Sequence, residues 1–194
     1  MNVNDEQLEF WIKHLDLLQA VKHSFKNKTV LNYGCDNGFL AENIRRFGAS
    51  SVTARNLTYQ DFAHCYFPNI TINNDDQVLP YDIVVVMGTE YFTDHFNLVK
   101  QITSQAQERI FLLTNFGAET TNSIIGCNFG KEYLQMPNLS WFVEMFQTQD
   151  FFIDNVVKYK TQYYNQEMMF LSVYNSKIIK STPIDLEQEY MWSE

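Results

Sequence analysis

Between Asn4 and Phe25 the apolar residues Leu8, Trp11, Leu15, Leu18, Val21 and Phe25 recur every three or four positions, with polar and charged residues between them. That spacing gathers one apolar stripe on an amphipathic helix. Asn4, with Gln7 three residues on, has the residue types of a capping box, and the KNK stretch at 26–28 ends the pattern. Thr29–Leu31 then reads as a short strand passing through a turn at 33–38 into a second helical pattern, Phe39 to Phe47, closed by Gly48. Ser51–Ala54 predicts a second strand, Tyr59–Tyr66 a helix stopped by Pro68, and Asn69–Ile72 a brief third strand. The strongest strand signal is Tyr81–Met87, whose unbroken apolar centre suits a strand covered on both faces. Thr93 is placed to cap a helix carrying Phe96, Val99 and Ile102, and Arg109–Thr114 predicts another buried strand.

Strand and helix alternate throughout this stretch, which predicts an α/β fold with a doubly wound, mostly parallel seven-stranded sheet and helices on both faces. Residues 115–137, rich in Asn, Gly and Thr, predict an irregular segment, and Leu139–Phe146 a helix. Phe151–Thr161 and Glu167–Tyr174 are β-rich runs joined by a short connection, which favours an antiparallel hairpin at the end of the sheet. The polar stretch from Lys177 to Glu194 reads as a tail.

With 194 residues, the chain fits one domain over 1–176, comprising an N-terminal helix at 1–26 and a variable segment at 115–137, followed by the 177–194 tail. A content of 45% hydrophobic and 15% aromatic residues is enough to build a core. The formal net charge of −9 disfavours a broad electrostatic grip on nucleic acid or on an anionic membrane. Cys35, Cys65 and Cys127 form no CxxC pair, so neither a disulfide framework nor a structural metal site is expected. The opening MNVNDEQLEF carries acid where a signal peptide would carry base, and no apolar run reaches the length of a membrane span. The expectation is a reduced, cytoplasmic protein. His14, His23, His64 and His95 are scattered, and each taken singly reads as a surface or packed histidine.

In an open parallel sheet, ligands bind beyond the carboxyl ends of the strands where the strand order reverses, which points to Asn32 through Gly38. Glycines there let the backbone approach a ligand, and free N–H groups opening the next helix favour an anionic or hydroxyl-bearing group. The stretch VLNYGCDNGFLAENIRRFGASSVTARNLT resembles the cofactor-binding opening of class I S-adenosylmethionine-dependent methyltransferases, whose typical form is VLDxGCGxGxxxxxLxxxGAxxVxGxDxS. Val30, Leu31, Gly34, Cys35, Gly38, Gly48, Ala49 and Val52 match in register. YDIVVVMGTEYF is similar to the family's fourth strand, RIFLLTN to its fifth, and LSWFVEMFQTQDFFIDNV to a late helix leading into a strand. The likeness covers residues 27–174, and the G-x-G-x-x-G spacing of a nicotinamide-binding fold is absent.

The resemblance implies methyl transfer from S-adenosylmethionine by in-line displacement to a small or medium-sized acceptor. It places the cofactor on Asn32, Gly34, Cys35, Asp36 and Gly38, on Asn56 and Leu57 after the second strand, on Asp75 after the third, and on Gly88 after the fourth. No metal is implied. Three positions depart from the family's pattern: Asn32 and Asn56 stand for acids, and Asp36 for a glycine. A neutral hydrogen bond contributes about 0.5–1.5 kcal/mol against about 1.5–3 for a charged one, so each amide costs about 1 kcal/mol, or five- to tenfold in affinity. Methyl transfer is mainly a matter of alignment and exclusion of water; Glu90, Tyr91 and His95 on the fourth-strand loop are the nearest groups to serve as a base. Tyr133, Trp141, Tyr163 and Tyr164 are candidates to line an acceptor pocket, with ordinary packing the competing reading. The three departures motivate an alternative, a catalytically inactive methyltransferase-like binding protein; a tRNA-modifying methyltransferase is a third reading, which the charge disfavours. A homodimer is compatible with the sequence.

Overall fold

Thr29–Tyr33 and Tyr81–Met87 are apolar on successive residues, and only a sheet with helices on both faces can bury such strands. The computed structural model shows that solution. It describes residues 5–34, 38–55, 67–72, 79–89, 94–115, 123–126, 133–161 and 166–178. The elements are α1 (Asp5–Ala20), β1 (Thr29–Tyr33), α2 (Phe39–Arg46), β2 (Ser51–Arg55), β3 (Thr71–Ile72), β4 (Tyr81–Met87) and α3 (His95–Gln105). They are followed by β5 (Ala106–Asn115), β6 (Ser123–Gly126), β7 (Tyr133–Met136), α4 (Leu139–Gln147), β8 (Phe151–Thr161) and β9 (Gln166–Asn175).

Seven strands form one sheet in the order β3-β2-β1-β4-β5-β9-β8. The β3-β2, β2-β1, β1-β4 and β4-β5 pairs are parallel, and β9 runs antiparallel to both β5 and β8. Strand β8 therefore points the same way as β5, and β9 alone is reversed. Alternate residues of the central strands feed opposite faces. Leu31, Tyr33, Val84, Val86, Ile110 and Leu112 pack under α3 and α4, while Val30, Ile83, Val85, Met87, Phe111 and Leu113 pack under α1 and α2. At the amino ends, Thr29 and Asp82 bond reciprocally: the carboxylate accepts from Thr29 N–H at 2.7 Å, and Thr29 Oγ1 accepts from Asp82 N–H at 3.0 Å. Lys28 pairs with Glu108 at 2.6 Å, so the amino ends of β1, β4 and β5 are tied together at the edge opposite the candidate site.

Three sequence expectations are corrected. The helix predicted to reach Phe25 stops at Ala20; Val21 sits at φ −106°, ψ 16°, and a 3₁₀ turn over Lys22–Phe25 follows. The tighter turn drives Phe25 into the core, 5.5 Å from the Phe111 ring, a burial that outweighs continuing the helix. The cap of α3 is Asp94, whose carboxylate accepts from Asn97 N–H at 2.9 Å; a carboxylate also complements the helix dipole. Residues 115–137 are not irregular throughout, because β6 and β7 pair antiparallel within them. Strands of four residues are too short to show an alternating pattern in the sequence. The predicted Tyr59–Tyr66 helix, the Asn4 cap and the tail beyond 178 lie outside the described residues. No described helix is long and apolar enough to cross a membrane.

Candidate functional site

The chain leaves β1 toward β2 on one side, and β4 joins β1 on the other, so the strand order reverses between β1 and β4. Their carboxyl ends form the crevice where a doubly wound sheet holds ligands. Three glycines line the exits at positive φ: Gly34 at 71°, Gly38 at 85° and Gly88 at 70°. A Cβ at any of them would clash with its own backbone, so glycine lets the chain turn sharply from the ends of both strands. The Gly34 N–H donates to the Arg55 carbonyl at 2.8 Å, which ties the end of β1 to the end of β2. Gly38 is the residue from which α2 starts; its carbonyl accepts from Glu42 N–H at 2.9 Å.

Asn32 is fully buried in β1. Its Nδ2 donates weakly to the Tyr33 and Val85 carbonyls, at 3.4 and 3.5 Å, and its Oδ1 has no hydrogen-bond partner among the described residues. The next residue, Tyr33, points to the other face, where its hydroxyl accepts from Gln101 Nε2 at 2.7 Å. The Arg55 guanidinium lies 5.3 Å from the centre of the Tyr33 ring, a cation–π contact at the end of β2.

A second group of residues follows β4. Thr89 and Thr114 are both fully buried and joined hydroxyl to hydroxyl, linking the ends of β4 and β5. His95, the first residue of α3, is only 7% exposed. Burial pushes its pKa below the usual histidine value, while a hydrogen bond to the Thr89 backbone and the charge of Asp94 partly oppose the shift. The ring is therefore neutral near pH 7. Its Nε2 is buried without a hydrogen-bond partner among the described residues. The His95 ring meets the Trp141 indole edge to face at 6.4 Å. Trp141 is held in the first turn of α4, where the Asn138 side chain accepts from its N–H at 2.9 Å.

Of the residues expected at the site, the fold brings Asn32, Gly34, Gly38, Gly88 and His95 to one edge of the sheet. Cys35, Asp36, Asn56, Leu57, Asp75, Glu90 and Tyr91 lie outside the described residues, as do Tyr163 and Tyr164. Arg55, Gln101 and Thr114 join the edge without any signal in the sequence, because each is an ordinary strand or helix residue until its neighbours are known. Among the described residues no group of three or more His, Cys, Asp or Glu side chains is placed to hold a metal ion.

No protein-family model matches the chain, and no curated protein matches it. Solved structures do. The chain is similar to magnesium protoporphyrin IX methyltransferase from Synechocystis PCC 6803 with bound SAM, at TM-score 0.67 and 16% identity over 90% of this chain and 86% of that one. A S-adenosylmethionine dependent methyltransferase from Mesorhizobium loti aligns at TM-score 0.64 and 13% identity, over 82% of this chain and 96% of that one. A third, 1,6-didemethyltoxoflavin-N1-methyltransferase from Burkholderia thailandensis with bound 1,6-didemethyltoxoflavin and S-adenosylhomocysteine, aligns at TM-score 0.61 and 12% identity, over 84% and 76%. The chain thus has the Rossmann-like fold of the class I S-adenosylmethionine-dependent methyltransferases.

Proposed function

We propose that the protein binds S-adenosylmethionine in the β1–β4 crevice and transfers its methyl group to a small or medium-sized acceptor. The observation that carries this reading is the buried, unpartnered Asn32 Oδ1 between glycine turns at the ends of β1 and β4. An amide oxygen accepts hydrogen bonds only, and leaving it unmade in a buried place costs about 1–3 kcal/mol. A ligand with an ammonium or N–H group would relieve that cost, so the residues present fit the methionine end of the cofactor. When bound, the cofactor supplies a methyl group on a positively charged sulfur.

In this reading the backbone of Gly34, Cys35, Asp36 and Gly38 approaches the methionine portion together with Asn32. Asn56 and Leu57 meet the ribose, Asp75 the adenine, and Gly88 the methyl-bearing end. The chain's own contribution is to orient the two reactants and keep water out. The similar proteins from Synechocystis and Burkholderia are named for methyl transfer to magnesium protoporphyrin IX and to 1,6-didemethyltoxoflavin, which supports a small-molecule acceptor. Of the candidate proton acceptors, His95 has the neutral ring such a role requires.

Titration calorimetry with S-adenosylmethionine and S-adenosylhomocysteine tests the reading. Binding heat and a rise in unfolding temperature are expected, and neither one at about millimolar ligand would overturn it. A second reading, a binding protein without turnover, is favoured by the neutral Asn32 where the family pattern carries an acid. Incubation with methyl-labelled S-adenosylmethionine and a small-molecule cell extract separates the two. Label moving into the low-mass fraction supports the enzyme, and binding with no transfer supports the binding protein.

A further inference from the structure

His95 presents a buried ring nitrogen, Nε2, that no described residue meets with a hydrogen bond. The ring is neutral, and in the tautomer protonated at Nδ1 the lone pair of Nε2 is left to accept. The neighbouring Thr89 hydroxyl is joined to Thr114, and Thr89 adjoins Gly88 at the mouth of the crevice. Against the ring stands the half-buried indole of Trp141, whose backbone N–H the cap of α4 holds. Both α3 and α4 start from the carboxyl edge of the sheet, so these two side chains share the edge with the glycine turns but lie on the opposite face from α2.

We infer that His95 and Trp141 form the acceptor subsite, and that it takes a planar ring bearing an O–H or N–H. The inference rests on the methyl-transfer reading above and names the acceptor class for it. Imidazole Nε2 satisfies its lone pair only from a donor, which requires a proton on the acceptor's heteroatom. The indole offers a flat apolar surface suited to a ring. Among the described residues Asp94 is the charged group acting on His95, and its carboxylate disfavours an anionic acceptor. Thr89, which follows β4, and Trp141 of α4 lie beside the ring and carry no charge. A hydrogen bond to Nε2 would also fix the heteroatom that receives the methyl group, making His95 a positioning residue.

Phenol, anisole and cyclohexanol distinguish the two elements of the subsite. Phenol is planar and protic, anisole planar without the proton, and cyclohexanol protic without the flat ring. Calorimetry on the full chain saturated with S-adenosylhomocysteine should show phenol binding about tenfold more tightly than either of the others. His95→Phe should bring phenol and anisole within about twofold of each other, and Trp141→Leu should weaken both together, with S-adenosylhomocysteine affinity unchanged in each variant. Equal binding of phenol and anisole to the wild-type protein, no phenol binding, or a preference that survives His95→Phe overturns the inference. The wild-type comparison decides the matter even if a variant fails to fold. If S-adenosylhomocysteine gives no heat, the cofactor reading falls, and the same phenol–anisole comparison on the unloaded protein tests the subsite separately.

Discussion

Replacing Asn32 with aspartate restores the acid that the family pattern carries, yet it should destabilise this protein. The side chain is fully buried, and its amide nitrogen faces the carbonyl oxygens of Tyr33 and Val85. A carboxylate there would set its charge against two oxygens in a dry environment, so its pKa rises. The folded state then holds a proton that the unfolded chain releases. Stability is accordingly unaffected below the unfolded pKa of about 3.9 and falls by about 1.4 kcal/mol per pH unit until the raised folded pKa is reached. The loss has a ceiling of about 4 kcal/mol at pH 7, the work of protonating such a carboxyl at that pH. Urea unfolding of Asn32→Asp and wild type from pH 4 to 8 measures it. A difference that grows with pH is expected, and it should shrink with S-adenosylmethionine present, whose ammonium would favour the ionised form. A variant whose stability matches the wild type at every pH, or gains on it as pH rises, would refute the reasoning.

Three further perturbations follow from the packing. Arg109 and Asp154 are 10% and 9% exposed and pair at 2.8 Å, so Asp154→Ala should cost about 3–5 kcal/mol, whereas Arg109→Met with Asp154→Leu should cost far less; equal losses in thermal melts would argue against a desolvated pair. The Glu42 carboxylate, bonded by Arg45 and Arg46, is held at about 2 against an ordinary 4.5. Its contribution is present above pH 4.5 and lost as pH falls toward 2, so Glu42→Gln should flatten that acid limb by about 1 kcal/mol, a small effect because both arginines are solvated. Gly38→Ala forces a Cβ onto φ 85° and should cost about 1–2 kcal/mol in urea unfolding; an unchanged midpoint would show that the turn at Gly38 is not constrained.

Edge protection at β8 illustrates how much of this lies beyond one-dimensional patterns. The strand pairs with β9 on one side only, and a register shift between Ile153 and Asn155 marks a bulge. The Asp154 carboxylate meets Arg109 of β5, two strands away, and Arg109 also donates to Ser172 of the intervening β9 at 3.2 Å. A bulge and an inward-pointing charge are the devices that keep an edge strand from pairing with another chain.

The alternation of helix and strand, the buried centre of β4 and the final hairpin were legible from the sequence, because local periodicity reports which side of an element is covered. The same holds for the glycine turn at Gly34 and Gly38, since only glycine tolerates such backbone angles cheaply. What needed the tertiary structure was everything set by partners distant in the chain. That Asn32 lacks a partner for its oxygen, that Tyr33 answers to Gln101 and Arg55, and that Trp141 meets His95 all depend on strands β1, β4 and β5 lying side by side. His95 makes the difference plain. In the sequence it is one of three neighbouring candidates for a base, and only the fold shows its ring buried beside Trp141 with Nε2 unmet among the described residues. Hydrogen-bond satisfaction belongs to the assembled fold, and no sequence spacing encodes it.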